Sequence, residues 1–294
     1  MTMQIREVPG IRTSWGESAR WDEQRDRLYF VDCVRRSLHW LTLERDGQLP
    51  SDVRLETRAM PSVPTGVALC RSGALVVALE EGLHVVDPDR GTSDLLAAYP
   101  AEMRGRANDL CADFDGHLIT GKLNLAPAEG SAWWYSARDG WKLIDDRISN
   151  TNGPGVAVLD GEETLVIGDT SADYYAYPYH ASEGTVGERR VFGAMDGGEG
   201  RPDGSAFDGD GGLWCALVGG GSLARFTRAG LDRRVPLPVR EPTDLAFAGP
   251  ALDRLFVTTV GITRGEATPE PGAGALFVVD GLGVRGRVEP RFDA

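Results

Sequence analysis

The sequence predicts an all-β fold, a six-bladed β-propeller with a central metal-binding channel, over a single domain spanning residues 1–294. Three observations carry that prediction. One phrase occurs six times: an apolar strand, a turn built on Asp or Gly, then a second strand rich in Leu, Val, Tyr and Trp. Its starts lie about 40 to 50 residues apart, the length of a four-stranded blade. No segment of ten or more residues carries a capped helical pattern. A β-sandwich of similar strand content is the alternative, but it leaves the repetition unexplained.

The first copy, "ESARWDEQRDRLYFVDCVRRSLHWLTLERDG", begins at Glu17, and the second, "TGVALCRSGALVVALEEGLHVVDPDRG", at Thr65. The third, "NDLCADFDGHLITGKLN", begins at Asn108 and continues into "GSAWWYSARDG"; the fourth, "NGPGVAVLDGEETLVIGDTSADYYAYPYH", begins at Asn152. The fifth, "DGSAFDGDGGLWCALVGGGSLARFTRAG", begins at Asp203, and the sixth, "TDLAFAGPALDRLFVTTVGITR", begins at Thr243 and closes with "GALFVVDGLG". Each copy shows three strands by period-2 or continuous apolar patterning, and a fainter, more polar outer strand, as in "DVRLETRAMP" and "RRVPLPV". The tryptophans read mostly as blade core, with one ring of the adjacent pair Trp133 and Trp134 turned outward because a strand alternates its faces.

Composition excludes several function classes. A net charge of -13 argues against nucleic acid, which needs clustered Lys and Arg. No apolar run approaches the ~18 residues of a membrane span, and "MTMQIREVPG" has no apolar core of a secretory signal. The four cysteines are far apart, with no C-x-x-C pair, and read as reduced thiols. The expectation is a cytoplasmic monomer.

In a propeller the innermost strand of each blade runs along the channel, so equivalent positions converge on one axis. The first residues of the repeats then form a column: Glu17, Thr65, Asn108, Asn152, Asp203 and Thr243. All six bear side-chain oxygen. Two carboxylates facing each other across a narrow channel repel, which raises a pKa unless a cation lies between them. A divalent ion held by Glu17, Asp203 and one or both Asn carbonyls leaves the site near neutral. Oxygen-only ligation points to Ca²⁺, Mg²⁺ or Mn²⁺, with Zn²⁺ or Fe²⁺ also able to occupy such a site. None of the four histidines falls in the column. The competing reading is that these residues close the inner strands as Asx-type turns, which suits Thr65 and Thr243 but not Glu17, since Glu is a poor turn former.

Five stretches carry a family resemblance: "WGESARWDEQRDRLYFVD", "RANDLCADFDGHLITGK", "NGPGVAVLDGEETLVIGDT", "RPDGSAFDGDGGLWCALVGGG" and "GVRGRVEPRF". In register over Gly16 to Phe292, the chain resembles the SMP-30/gluconolactonase/regucalcin-like family. That resemblance implies a six-bladed propeller with one catalytic divalent metal, hydrolysing sugar lactones. It places the metal ligands on Glu17, Asn152 and Asp203, and a substrate-contacting R-x-N-D motif on Arg106, Asn108 and Asp109. Departures are Ala19 and Arg20 before Trp21, Gly121-Lys122-Leu123 where relatives have G-T-M, and extra residues after Asn152. The mechanism expected has Asp203 as general base and Arg106 with Asn108 gripping sugar hydroxyls and lactone oxygens. Lys122 is a further substrate candidate if it reaches the mouth, a solvated lysine otherwise. A calcium-binding regulatory propeller, and a metal-dependent esterase or organophosphate hydrolase on the same scaffold, are the alternatives.

Overall fold

The computed structural model describes residues 2–44, 49, 53–103, 105–123, 130–195, 200–263 and 265–293. Six antiparallel sheets surround one axis, and the structure is a six-bladed β-propeller. The inner strands, in blade order, are Gly16–Asp22, Gly66–Leu69, Arg106–Ala112, Thr151–Leu159, Arg201–Phe207 and Pro242–Ala248. Each begins within two residues of a repeat start read from the sequence. The "GGGSL" phrase is a hairpin between Leu213–Val218 and Ser222–Thr227. Among the described residues helix is confined to the 3-10 turn Ala181–Glu183, and no helix is long and apolar enough to cross a membrane.

A blade is covered on both faces by its neighbours, so its central strands are apolar throughout. "LVVA" at Leu75–Ala78 and "LWCALV" at Leu213–Val218 are buried at every position. The apolar side chains gather into six clusters, each between two adjacent blades. This corrects the expectation for Trp133 and Trp134. Both are buried, one on each face of Ser131–Ser136, because neither face of the blade meets solvent. The four cysteines are unpaired; three are buried and Cys111 is half-buried.

Ring closure was not visible in the repeats. The sixth sheet takes its outer strand from the other end of the chain: Gln4–Arg12 pairs with Ala275–Asp280. The C-terminal segment then crosses the channel at the end where the inner strands finish. Gly209 N–H donates to Arg285 O, Phe292 N–H to Leu69 O and Asp293 N–H to Gly116 O, at 2.7, 2.8 and 3.0 Å. Phe292 is fully buried between the second and third blades.

One histidine makes the packing pH-sensitive. His39, on Ser37–Thr42, is buried against Phe30, with Ser37 Oγ at 2.8 Å from Nε2 and Thr57 Oγ1 at 2.9 Å from Nδ1. Two hydroxyl partners satisfy a neutral ring, and burial lowers its pKa to about 4. The unfolded chain, with a pKa near ~6.5, binds the proton better, so stability falls as pH drops through that window. The expected loss between pH 7 and pH 5 is about 2 kcal/mol. Denaturant unfolding of wild type and His39→Gln at both pH values checks it, and the variant should lack this increment.

Candidate active site at the channel mouth

The site is built from irregularities in the inner strands. Pairing to the second strand slips by one residue between Glu17 and Arg20, Asn108 and Leu110, Asn152 and Gly155, Pro202 and Ser205, and Pro242 and Leu245. A β-bulge places two residues opposite one and re-aims the side chains beside it. Thus Glu17, Asn108, Asn152, Asp203 and Thr243 occupy equivalent places on five blades. The second blade, which supplies Thr65, pairs without a slip. The extra residues after Asn152 lengthen its strand at the far end and leave this bulge in the common register.

The residue after each column position explains part of the sequence. Ser18 and Asp109 have φ of 53° and 55°, and Gly153 has 46°, a left-handed geometry that favours glycine, Asn or Asp. At Gly204 the constraint is space: a Cβ there would collide with the Asp244 carboxylate. Asp-Gly at 203–204 is therefore a close approach of two blades, whereas Asp208, five residues on, is the turn former. Asp208 Oδ1 accepts from the Asp210 and Gly212 amides at 3.0 and 2.9 Å. Asp22 and Asp113 do the same in their blades.

Hydrogen bonds between neighbouring blades fix the column. Asn108 Nδ2 donates to Thr151 O at 2.9 Å and Asn152 Oδ1 at 2.6 Å, while Asn152 Nδ2 donates to Thr170 Oγ1. The Asp203 backbone is clamped by one phenol: Tyr174 OH donates to Asp203 O at 2.7 Å and accepts from Asp203 N–H at 3.2 Å. Trp15 Nε1–H donates to Glu17 Oε1 at 3.0 Å. Asp109, an expected substrate contact, is 1% exposed and lies behind the column, with Oδ2 accepting from Gly153 N–H at 2.6 Å. Its buried Oδ1 has no partner among the described residues.

Acidic groups crowd this axis. Burial first, then repulsion from Asp109 and Asp244, holds the Glu17 carboxyl well above its usual range. Burial, then Glu17, Asp109 and Asp244, does the same to Asp203. Burial raises Asp109 too, against the pull of Arg20. Each carboxylate would be relieved by a cation on the axis. Among the described residues no three His, Cys, Asp or Glu side chains are gathered at metal-binding geometry; Glu17, Asp203 and the amide oxygen of Asn152 are a two-carboxylate set. That set, with an orphaned carboxylate oxygen beside it, fits a hard divalent ion.

Two other residues stand apart from expectation. Arg106 is exposed at the start of its strand, near enough to Glu17 to stabilise its charge. Lys122 is not a solvated lysine: it is 2% exposed, and Nζ donates to Gly105 O at 2.8 Å, 4.0 Å from the Tyr99 ring centroid. The side chain runs beneath the segment that leads into Arg106 because its strand is covered by the neighbouring blade. Sequence reasoning missed Trp15, Arg20, Tyr174 and Asp244. Only Asp244 left a signal, since "TDLAF" at Thr243 repeats the pattern of "NDLCA" at Asn108.

Residues 15–261 match the SMP-30/gluconolactonase/LRE-like region. The pentonolactonase XacC of Haloferax volcanii is 30% identical over 300 residues, covering 99% of both chains. The 6-deoxy-6-sulfogluconolactonase of Pseudomonas putida is 28% identical, covering 94% of each. The solved structure of regucalcin, a calcium-binding protein from Agrobacterium tumefaciens, superposes with a TM-score of 0.84 at 26% identity, covering 96% of this chain and 95% of that one.

Proposed function

Because the chain belongs to the SMP-30/gluconolactonase/LRE-like family, we propose that it hydrolyses a sugar-acid lactone, an aldonolactone, to the free acid. Glu17, Asn152 and Asp203 would hold one divalent cation, Ca²⁺, Mg²⁺, Mn²⁺, Zn²⁺ or Fe²⁺. The observation that supports this most is the placement of those three groups on equivalent bulges, with both carboxyls raised by burial and by neighbouring acids. The relatives named as lactonases cover nearly the whole chain at 28–30% identity.

When bound, the cation supplies a Lewis acid for the lactone carbonyl and offsets negative charge that develops on its oxygen. The chain's own residues do the rest. Asp203 takes a proton from the attacking water as its oxygen bonds to the carbonyl carbon. It returns that proton to the ring oxygen as the ring C–O bond breaks, leaving a hydroxy acid. The Tyr174 clamp keeps the Asp203 backbone still while this happens. Arg106 at the rim and Asn108 in the column grip substrate hydroxyls. Lys122 holds Gly105 in place, one residue ahead of Arg106.

The test is hydrolysis of a panel of aldonolactones by metal-stripped protein, followed by pH-stat, with each of the five cations restored in turn. Turnover should vanish on stripping and return with at least one cation. Cation binding without turnover on any lactone would shift the function to the regulatory calcium-binding reading, or to another ester or organophosphate.

A further inference from the structure

We propose that Trp15 is a substrate-binding residue of this mouth: its ring covers the apolar C–H face of a cyclic sugar lactone while its indole N–H aims Glu17. The proposal rests on the lactonase reading and narrows it to ring substrates that present such a face.

Trp15 is 38% exposed, whereas Trp21, Trp40, Trp133, Trp134 and Trp214 are 3, 6, 8, 0 and 0% exposed. It is no loose surface residue. Its amide donates to Asp32 Oδ1 at 3.3 Å, its carbonyl accepts from Cys33 N–H at 3.0 Å, and it bridges to Val260 in the sixth blade. It immediately precedes the inner strand that carries Glu17, so it stands at the column's end of the channel. The Nε1–Glu17 Oε1 bond of 3.0 Å fixes the ring and engages only one of the two carboxyl oxygens.

A rigid, water-exposed indole beside the Glu17 carboxyl gains free energy when another apolar surface covers it. A sugar lactone offers a C–H face and a rim of hydroxyls. Trp15 matches the first, and Arg106 and Asn108 match the second, the combination of one apolar wall with a few fixed polar groups that small-molecule sites use. An open-chain ester lacks the flat C–H face and would gain little from the wall.

Two substitutions separate the two roles. Trp15→Ala removes ring and N–H; Trp15→Phe keeps a ring and removes only the N–H. Both should lower kcat by a similar factor through Glu17. Trp15→Ala alone should raise KM for aldonolactones, by about five- to tenfold, the weight of one aromatic contact. Equal KM values for the two variants would overturn the proposal. A binding measurement that needs no turnover decides the same point: a non-hydrolysable ring analogue that keeps the C–H face, 1,5-anhydroglucitol, should quench intrinsic fluorescence of wild type but not of Trp15→Phe. Equal quenching in both would overturn the proposal. Should wild type hydrolyse no aldonolactone, the lactonase reading fails by itself, and the quenching result still stands for or against Trp15.

Discussion

Asp203→Ala should lower kcat for lactone hydrolysis by about 10²- to 10⁴-fold, the range lost with a positioned general base. A proposed cation ligand goes with it, so the larger figure is expected. The fold should survive. The side chain of Asp203 faces the channel, and its backbone, held by Tyr174, is untouched. Burial and neighbouring acids already make the ionised carboxyl unfavourable, so the metal-free variant should melt at or above the wild-type temperature. Added cation should stabilise wild type and leave the variant nearly unmoved, since binding to the native state alone raises stability by mass action. Rate and melting temperature together make a sharp test. A variant that keeps its turnover would remove Asp203 from the mechanism, and one that unfolds would make its role structural.

The period of the repeats and the column were legible because they repeat. An oxygen-bearing residue at one end of each inner strand, with an Asp five residues on in three of the six, gives the chain a phase, and six phases fix a propeller. The phase also separated Asp203 from Asp208, two residues in the same short Asp-Gly-rich phrase with opposite duties. What could not be read was any feature that exists once. Gln4–Arg12 reads as an isolated strand until its partner, Ala275–Asp280, is seen across the ring. Trp15 shares its type with five buried tryptophans and the half-buried Trp141, and only position distinguishes it. Trp133 and Trp134 misled because alternation marks a sheet with one wet face, whereas both faces of a blade are dry. Lys122 misled in the same way, as a charged residue on a strand with no solvent side. Arg20 was seen as a departure from a loop motif, yet its partners lie 47, 90 and 224 residues away.

Those partners make Arg20 the residue whose loss should cost the most stability. The side chain is 3% exposed on the channel axis, below the column. Its Nε donates to Val67 O at 3.1 Å, Nη2 to Leu110 O at 2.9 Å, and Nη1 to Ala19 O at 2.6 Å and Asp244 Oδ2 at 3.1 Å. Glu289, on the C-terminal segment that crosses the channel, sits 3.4 Å from Nε. One guanidinium thus joins blades one, two, three and six to the tail. Arg20→Met would leave the Asp244 carboxylate with the Leu245 amide, at 2.7 Å, but no cation. Removing one partner of a buried ion pair costs about 3 to 5 kcal/mol, because the other charge is stranded, and that is a large part of the ~5 to 15 kcal/mol that holds a domain together. Denaturant unfolding in chelator should show it. The deficit has a pH signature. Burial raises the Asp244 carboxyl to about 8 even with Arg20 present, above its unfolded value near ~3.9. The folded state therefore binds the extra proton, and stability contributed by Asp244 falls as pH rises through that window. Without Arg20 the ionised form is worse still, so the stranded-charge part of the Arg20→Met deficit should be small toward pH 5 and grow as pH rises through 8. Asp244→Asn in the same chain should recover much of it at pH 8, because a neutral amide strands no charge. A deficit that ignores pH and is not relieved by Asp244→Asn would assign the loss to the three carbonyl contacts, and make Arg20 a packing bolt rather than a counter-ion.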